Sequence, residues 1–413
     1  MAKAPNHMVS LGPDMLEAPD GRIFVDAGTC EVTDLTDFKM VHFGTDTVRQ
    51  LYRGTIKPGV LDLFESRDMV EFAGYDWMPG RTGRSSGYQF RLQNADLGLI
   101  LLIKSFHVDE DNEGPHLKIE VSPHCIKAHT PAQLQQLLDI LASDVLSDSV
   151  ASGTAIHIAL DFQGWEPPAD FEARLHCRSK RVASVQGIQS LDWDSESATY
   201  GRGQSWRFGA ANGLQMALYN KSQEAKAHDK LDMWQHNWEQ SGQYDPEKPV
   251  WRLEMRFHHS VVRQFSEGTV DTETGEAFDF DSYYGLVDHR DGLWRYALRQ
   301  FKFLARPGWF DPVWTVLSRQ KLCDDEYQVD YKRYHKTAAG FSGKNVELLL
   351  GNFISCAARM RLTFEQTWRA LHALPVYDLI RDHYLNKGKS STEIQAHVLK
   401  LLKERVVRYG KAV

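Results

Sequence analysis

The chain has 413 residues, 42% apolar and 25% charged, the balance of an ordinary globular protein too long for one hydrophobic core. Its net charge of −7 excludes a protein that coats nucleic acid through bulk positive charge, while leaving room for local basic patches. Five scattered cysteines without a Cys-x-x-Cys pair argue against a disulfide framework or a cysteine-rich zinc site.

Residues 1–80 carry no clear pattern, apart from "DTVRQLYRG", whose spacing predicts a short helix closed by Gly54. The opening "MAKAPNHMVS" has no apolar core of a leader, and the longest aliphatic run, Leu99–Ile103, is too short to span a bilayer. A cytoplasmic protein with no membrane partner is therefore expected. Pro79–Gly87 is a basic, glycine-rich loop that lacks the Gly-Lys-Ser/Thr ending of a nucleotide P-loop.

Strands follow in "YQFRLQ", "LGLILLI" and "HLKIEV". Thr130-Pro131 then opens a helix with Leu134, Leu137, Leu138, Leu141 and Val145 at helical spacing. Next come the strand "AIHIALDF", a mixed segment Pro168–Gln186, "SATYG", "LQMALYNK", a polar helical stretch from Glu224 to Gly242, and the strand "PVWRLEMRFH". This order predicts an α+β fold over 81–275, a largely antiparallel central sheet with flanking helices. From 276 to 413 the pattern turns helical, with capping boxes at Thr363/Gln366 and Ser390/Glu393. The last helix is striped by Ile394, Val398, Leu401 and Leu402. An all-helical C-terminal domain is expected there.

Three strands share one peculiarity. Read with period two, "HIALD" sets His157 and Asp161 opposite Ile156, Ile158 and Leu160. "LQMALYNK" sets Tyr219 and Lys221 opposite Leu214, Met216 and Leu218, and "WRLEMRFH" sets Arg252, Glu254, Arg256 and His258 opposite Trp251, Leu253, Met255 and Phe257. An antiparallel sheet covered on one side shows such a solvated face. The same set also provides the parts of a metal-assisted phosphoryl-transfer site. Asp161, Glu254 and His157 are hard donors suited to Mg²⁺ or Mn²⁺. Tyr219 is then the nucleophile that forms a phosphotyrosine, with Lys221 holding charge beside it.

The order "HIALD" (157–161), "TYGRGQS" (199–205), "LYNKSQE" (218–224), "WRLEMRF" (251–257) resembles the trans-acting replication initiation factors of rolling-circle plasmids. Relaxases of integrative conjugative elements and initiators of some filamentous phages are related to that family. The resemblance covers about residues 85–265 and implies an initiator-type nickase domain that cuts one DNA strand and keeps the 5′ phosphate on Tyr219. It implies Asp161 and Glu254 as acidic metal positions, with Arg252 accompanying them. His157 stands where the family has an Asp. Tyr200 is a second-choice nucleophile. Single-stranded origin DNA, a host helicase and a homodimer are the partners it implies.

From Arg174 to Arg207 six Lys/Arg face three Asp/Glu, so Arg174, Arg178, Lys180 and Arg202 are candidate DNA contacts, together with Arg252. From Lys387 to Lys411 there are seven against two, on a helix that binds DNA or is a solvated face. His258, Glu224 and the Tyr283-Tyr284 pair have plainer readings as a surface imidazole, a helix start and packing, and Asp109–Glu113 reads as an exposed acidic turn. Two rivals stand beside the nickase: a non-cutting origin-binding replication or regulatory protein on the same fold, and a metal-dependent nuclease or phosphatase without a covalent step.

Overall fold

The computed structural model describes residues 11–66, 68–177, 181–182, 205–210, 212–268, 278–322, 331 and 343–408. Chain contacts divide it into two units, Met1–Arg333 and Tyr334–Val413.

The first unit is built on an antiparallel sheet, eleven-stranded among the described residues. In chain order its strands are β1 Lys39–Ile56, β2 Val70–Phe72, β3 Tyr75–Arg81, β4 Tyr88–Asn94, β5 Leu99–Ser105, β6 Gly114–Val121, β7 Leu146–Gln163, β8 Arg181–Val182, β9 Ser205–Phe208, β10 Leu214–Asn220 and β11 Trp251–Phe257. They lie side by side as β8-β9-β10-β11-β7-β1-β6-β5-β4-β3-β2. The two 18-residue strands β1 and β7 pair along most of their length and form the spine.

Alternation decides which face is wet. Ile156, Ile158 and Leu160 of β7, Leu253 and Met255 of β11 and Met216 and Leu218 of β10 are all buried in one core. That core is shared with the helices Pro131–Val145 (α1), His259–Gly268 (α4), Arg290–Gln300 (α5) and Pro312–Ser318 (α6). Burying apolar strand faces under such helices is the dominant favourable term in folding. Thr130 caps α1 through the reciprocal bonds with Gln133 that its sequence predicts. On the opposite face sit two short helices, Lys221–Ala227 (α2) and Leu231–Glu239 (α3), whose Ala225, Trp234 and Trp238 cluster with Val41 and Val250. Between them the chain breaks at Asp229, in the left-handed region at φ 55°.

Several sequence expectations are corrected here. "DTVRQLYRG" is not a helix but part of β1. Its residues Thr47 and Val48 are β-branched, and the long pairing with β7 and β6 overrides any helical spacing. The region before residue 80 is structured: it holds β1, most of β3 and a small three-stranded sheet of Met15–Glu17, Ile23–Asp26 and Val32–Asp34. The helical character begun at Tyr283 stops at Gln300, and Lys302–Arg306 pairs with Trp309–Phe310 as a hairpin around Pro307 and Gly308. Nor does the chain divide at 276. Trp294 and Trp314, both fully buried, belong to the sheet unit's own core.

The second unit is helical, as expected: α7 Gly343–Arg359, α8 Phe364–His372, α9 Tyr377–Asn386 and α10 Ser391–Arg408. Leu350, Ile354, Leu371, Ile380, Ile394 and Val398 form its separate core. The capping box at Thr363/Gln366 is present, and Ser390 and Glu393 exchange the bonds of the second. Among the described residues no helix is long and apolar enough to cross a membrane.

Leu253 is fully buried at the middle of the sheet. Leu253→Ala is expected to lower unfolding stability by about 2–5 kcal/mol, read as a shifted denaturant midpoint with an unchanged slope.

Candidate functional site

The polar face of β10, β11, β7 and β1 carries the candidate site in three cross-strand rows. In the first row Tyr219 faces Arg252, which faces Asp161, which faces His42. The second runs Ala217, Glu254, Ala159, Gly44, and the third Gln215, Arg256, His157, Thr47. Small residues flank Glu254 on both sides, so the larger side chains of this face stand in the first and third rows. Gly209, at φ 100°, starts the loop that returns β9 to β10; a Cβ there would stand 2.3 Å from Leu214 O.

Asp46 joins this face through a break in the ladder. Thr45 pairs with Ile158 and Thr47 with His157, which leaves Asp46 as an extra residue in β1. Such a bulge re-aims a side chain out of strict alternation. The Asp46 carboxylate accepts from Arg252 Nη1 at 2.5 Å and from the Thr47 hydroxyl at 3.0 Å. Donor atoms of Asp46, His157 and Glu254 all lie within 4.8 Å of one another. Two carboxylates and an imidazole are hard donors that fit Mg²⁺ or Mn²⁺. His157 Nδ1 lies 3.0 Å from Glu254 Oε1.

Tyr219 is 5% exposed, and its hydroxyl donates to Glu254 Oε2 at 3.2 Å. Burial, and then the Glu254 charge, push the phenol well above its ordinary value of 10. Glu254 also accepts from Arg256 Nε at 2.9 Å and Nη2 at 3.0 Å. Burial alone would raise its pKa, but Arg256 and the His157 hydrogen bond overcome that and hold it well below the carboxylate range. Burial lowers the His157 pKa below 6.5, so the ring is neutral at pH 7 despite Glu254 pulling the other way.

Lys221 lies beside Tyr219, its Nζ 5.8 Å from the ring centroid and 4.7 Å from that of Trp234. Glu224 Oε2 accepts from it at 2.5 Å. Burial and then the Arg252 charge lower its pKa.

The structure moves two expected site residues out of their roles. Asp161 is not grouped with His157 and Glu254. Its Oδ1 accepts from Arg252 Nε at 2.5 Å, and its Oδ2 from Arg252 Nη2 and Trp238 Nε1, both at 2.8 Å. Both oxygens are claimed by protein donors in a fully buried setting, as are those of Glu254, and it is Asp46 that is grouped with His157 and Glu254. Arg252 is not a DNA contact: it has no exposed surface and lies between two carboxylates with its guanidinium 4.2 Å from the Trp234 ring. Arg174 is half-buried, donating to Leu304 O at 2.9 Å, pairing with Asp311 and stacking 4.3 Å over Phe303. Tyr200, Arg178, Lys180 and Arg202 lie outside the described residues.

The remaining candidates take quieter places. His258 bonds Ser260 Oγ at 2.9 Å, Glu224 sits in the first turn of α2, and Tyr283 is buried with its N–H on Gln50 Oε1. Asp109, Asp111 and Glu113 are exposed.

The chain is 45% identical to the uncharacterized protein ORF430 of Pseudomonas phage Pf1, across 430 aligned positions that take in all of both chains. It belongs to the ORF430 family. No protein-family profile and no solved structure matches it.

Two expected outcomes test this geometry. Asp161→Ala strands a buried guanidinium and is expected to cost about 3–5 kcal/mol of stability in denaturant unfolding. His42, packed against Trp234, is lowered by burial from 6.5 to about 4. A depressed imidazole leaves stability intact above pH 6.5 and removes it as pH falls toward 4, because only the unfolded chain takes up the proton. Dropping to about pH 5 should remove roughly 2 kcal/mol through this group. His42→Gln should flatten that part of the stability–pH curve.

Proposed function

We propose that this protein nicks one strand of DNA and holds the 5′ phosphate on Tyr219, in the manner of a rolling-circle initiator of a phage or plasmid replicon. The observation that carries the reading is the bond from the Tyr219 hydroxyl to Glu254 Oε2, a carboxylate grouped with Asp46 and His157. A nucleophile one bond away from a hard-donor cluster is the arrangement that phosphoryl transfer by a phenol needs. A relative encoded by a phage fits such a role.

Asp46, His157 and Glu254 would hold the divalent cation. When bound, that ion supplies positive charge against the phosphate oxygens and the phenolate. The chain's own residues do the rest. Tyr219 Oη forms the new bond to phosphorus as the bond from phosphorus to the 3′ oxygen breaks, and the phenolic proton passes by way of Glu254 to the departing 3′ oxygen. The products are a 5′-phosphotyrosine and a 3′ hydroxyl that can prime synthesis. Arg256 fixes the Glu254 carboxylate so that one oxygen faces Tyr219, and Lys221 stands 5.8 Å from the centre of the phenol ring. Arg252 is a positioning residue that acts through Asp46.

The test is incubation with single-stranded DNA from the replicon's origin and Mn²⁺, followed by a denaturing gel. A protein–oligonucleotide band is expected for wild type and no band for Tyr219→Phe, with Asp46→Asn lowering its yield at least tenfold (an order-of-magnitude expectation for a disturbed metal site). Cleavage that survives Tyr219→Phe would instead assign a nuclease without a covalent step. Origin binding with neither band nor cleavage would assign a non-cutting replication protein.

A further inference from the structure

The two units differ sharply in charge. Tyr334–Val413 carries thirteen Lys and Arg against six Asp and Glu, a net charge of +7. The rest of the chain carries thirty-five against forty-nine, a net charge of −14. The polar face that holds Tyr219 adds little positive field of its own, because Arg252 and Arg256 are spent on Asp161, Asp46 and Glu254. An acidic unit repels a polyanion, and the phosphate field of duplex DNA is one charge per about 1.7 Å of helix axis. The helical unit is the part of the chain whose net charge favours a polyanion.

Within the helical unit the positive charge falls into two kinds. Arg381 pairs with Asp378 and Asp382, and Lys387 pairs with Glu347, which His383 also approaches. Arg361, Arg369, Lys400 and Lys403 are exposed and have no carboxylate at ion-pair distance among the described residues. Lys389 is half-buried, its Nζ 5.4 Å from the centroid of Tyr384, and His397 lies 5.3 Å from the same ring. Burial and then the positive charge of Lys389 and Lys400 lower the His397 pKa, while Glu404 and Glu347 pull it the other way. Glu393, the other acid nearby, is tied to Ser390 at the start of α10.

We infer that the helical unit is a docking module for the phosphate backbone of duplex DNA, with Lys389, Lys400 and Lys403 as its centre. Duplex rather than single-stranded DNA follows from the aromatics. Single strands are held by stacking bases on exposed rings. Here Tyr384 is 4% exposed, and the partly buried Trp368 and Tyr377 already have the exposed His372 ring against them, at 4.7 and 3.9 Å between centroids. What the unit presents is charge along helices, which reads backbone without base identity. The inference does not depend on cutting at Tyr219.

The experiment uses the full chain in EDTA, so that no metal-dependent chemistry enters, and a fluorescent random-sequence duplex followed by anisotropy at several salt concentrations. Binding that weakens steeply with salt is expected. Lys389→Glu/Lys400→Glu should weaken it about tenfold or more and reduce the log–log salt slope by about two. Lys389→Gln/Lys400→Gln, which removes charge without introducing any, should show the same slope change, and circular dichroism checks that both variants keep their helices. Lys302→Glu, an exposed lysine of the sheet unit, should change the affinity much less. No duplex binding at low salt overturns the inference, as does wild-type affinity and slope in the double variants. A tighter, salt-insensitive grip on single strands through these lysines would overturn the duplex assignment. Loss of the covalent band with binding intact would count against the Tyr219 reading alone.

Discussion

Arg252 is the constraint on which the polar face depends. Its guanidinium has no exposed surface, yet it sits in the central row of the sheet between Asp161 on one side and Asp46 on the other. A buried charge of this kind is tolerated only when its donors are met, and here Nε, Nη1 and Nη2 all are. Trp234 closes over its flat surface at 4.2 Å, and Trp238 meets the remaining lone pair of Asp161. The ion pair thus fastens β7, β11 and β1 to one another and to α3. It also orients Asp46, the residue that completes the donor cluster.

That arrangement keeps the site electrostatically quiet at rest. Glu254 is ionised and satisfied by Arg256, His157 is neutral, and Tyr219 holds its proton more tightly than a phenol in water. Lys221 is balanced by Glu224. Each group has a partner within the cluster, so the face stores little unpaired charge. On the reading proposed above, the phenol becomes reactive when positive charge is brought to the cluster, and a cation among the three donors is the addition that would supply it.

Much of this was legible in the sequence and some was hidden for definite reasons. Period-two reading places Tyr219, Glu254 and His157 on one face because β10, β11 and β7 are regular there and pair in register. It cannot tell which carboxylate a neighbouring arginine will claim. Asp161 and Arg252 face each other across the ladder, a relation that needs the register and not just the strand. Asp46 was hidden twice, by a helical reading of its segment and by a bulge that breaks alternation at the residue in question. The unit boundary was misplaced because helices such as α5 and α6 look alike whether they cover a sheet or one another. Only the shared core of Trp294 and Trp314 with the strands decides it.

The bulge at Asp46 also bears on how this chain can change length. Elsewhere an inserted or lost residue in a loop is absorbed at modest entropic cost. Between Thr45 and Thr47 the loss of one residue would remove the carboxylate and draw the two halves of a spine strand into a continuous ladder at once. Variation among relatives should therefore accumulate by substitution along β1, with gaps falling in the connections that flank it.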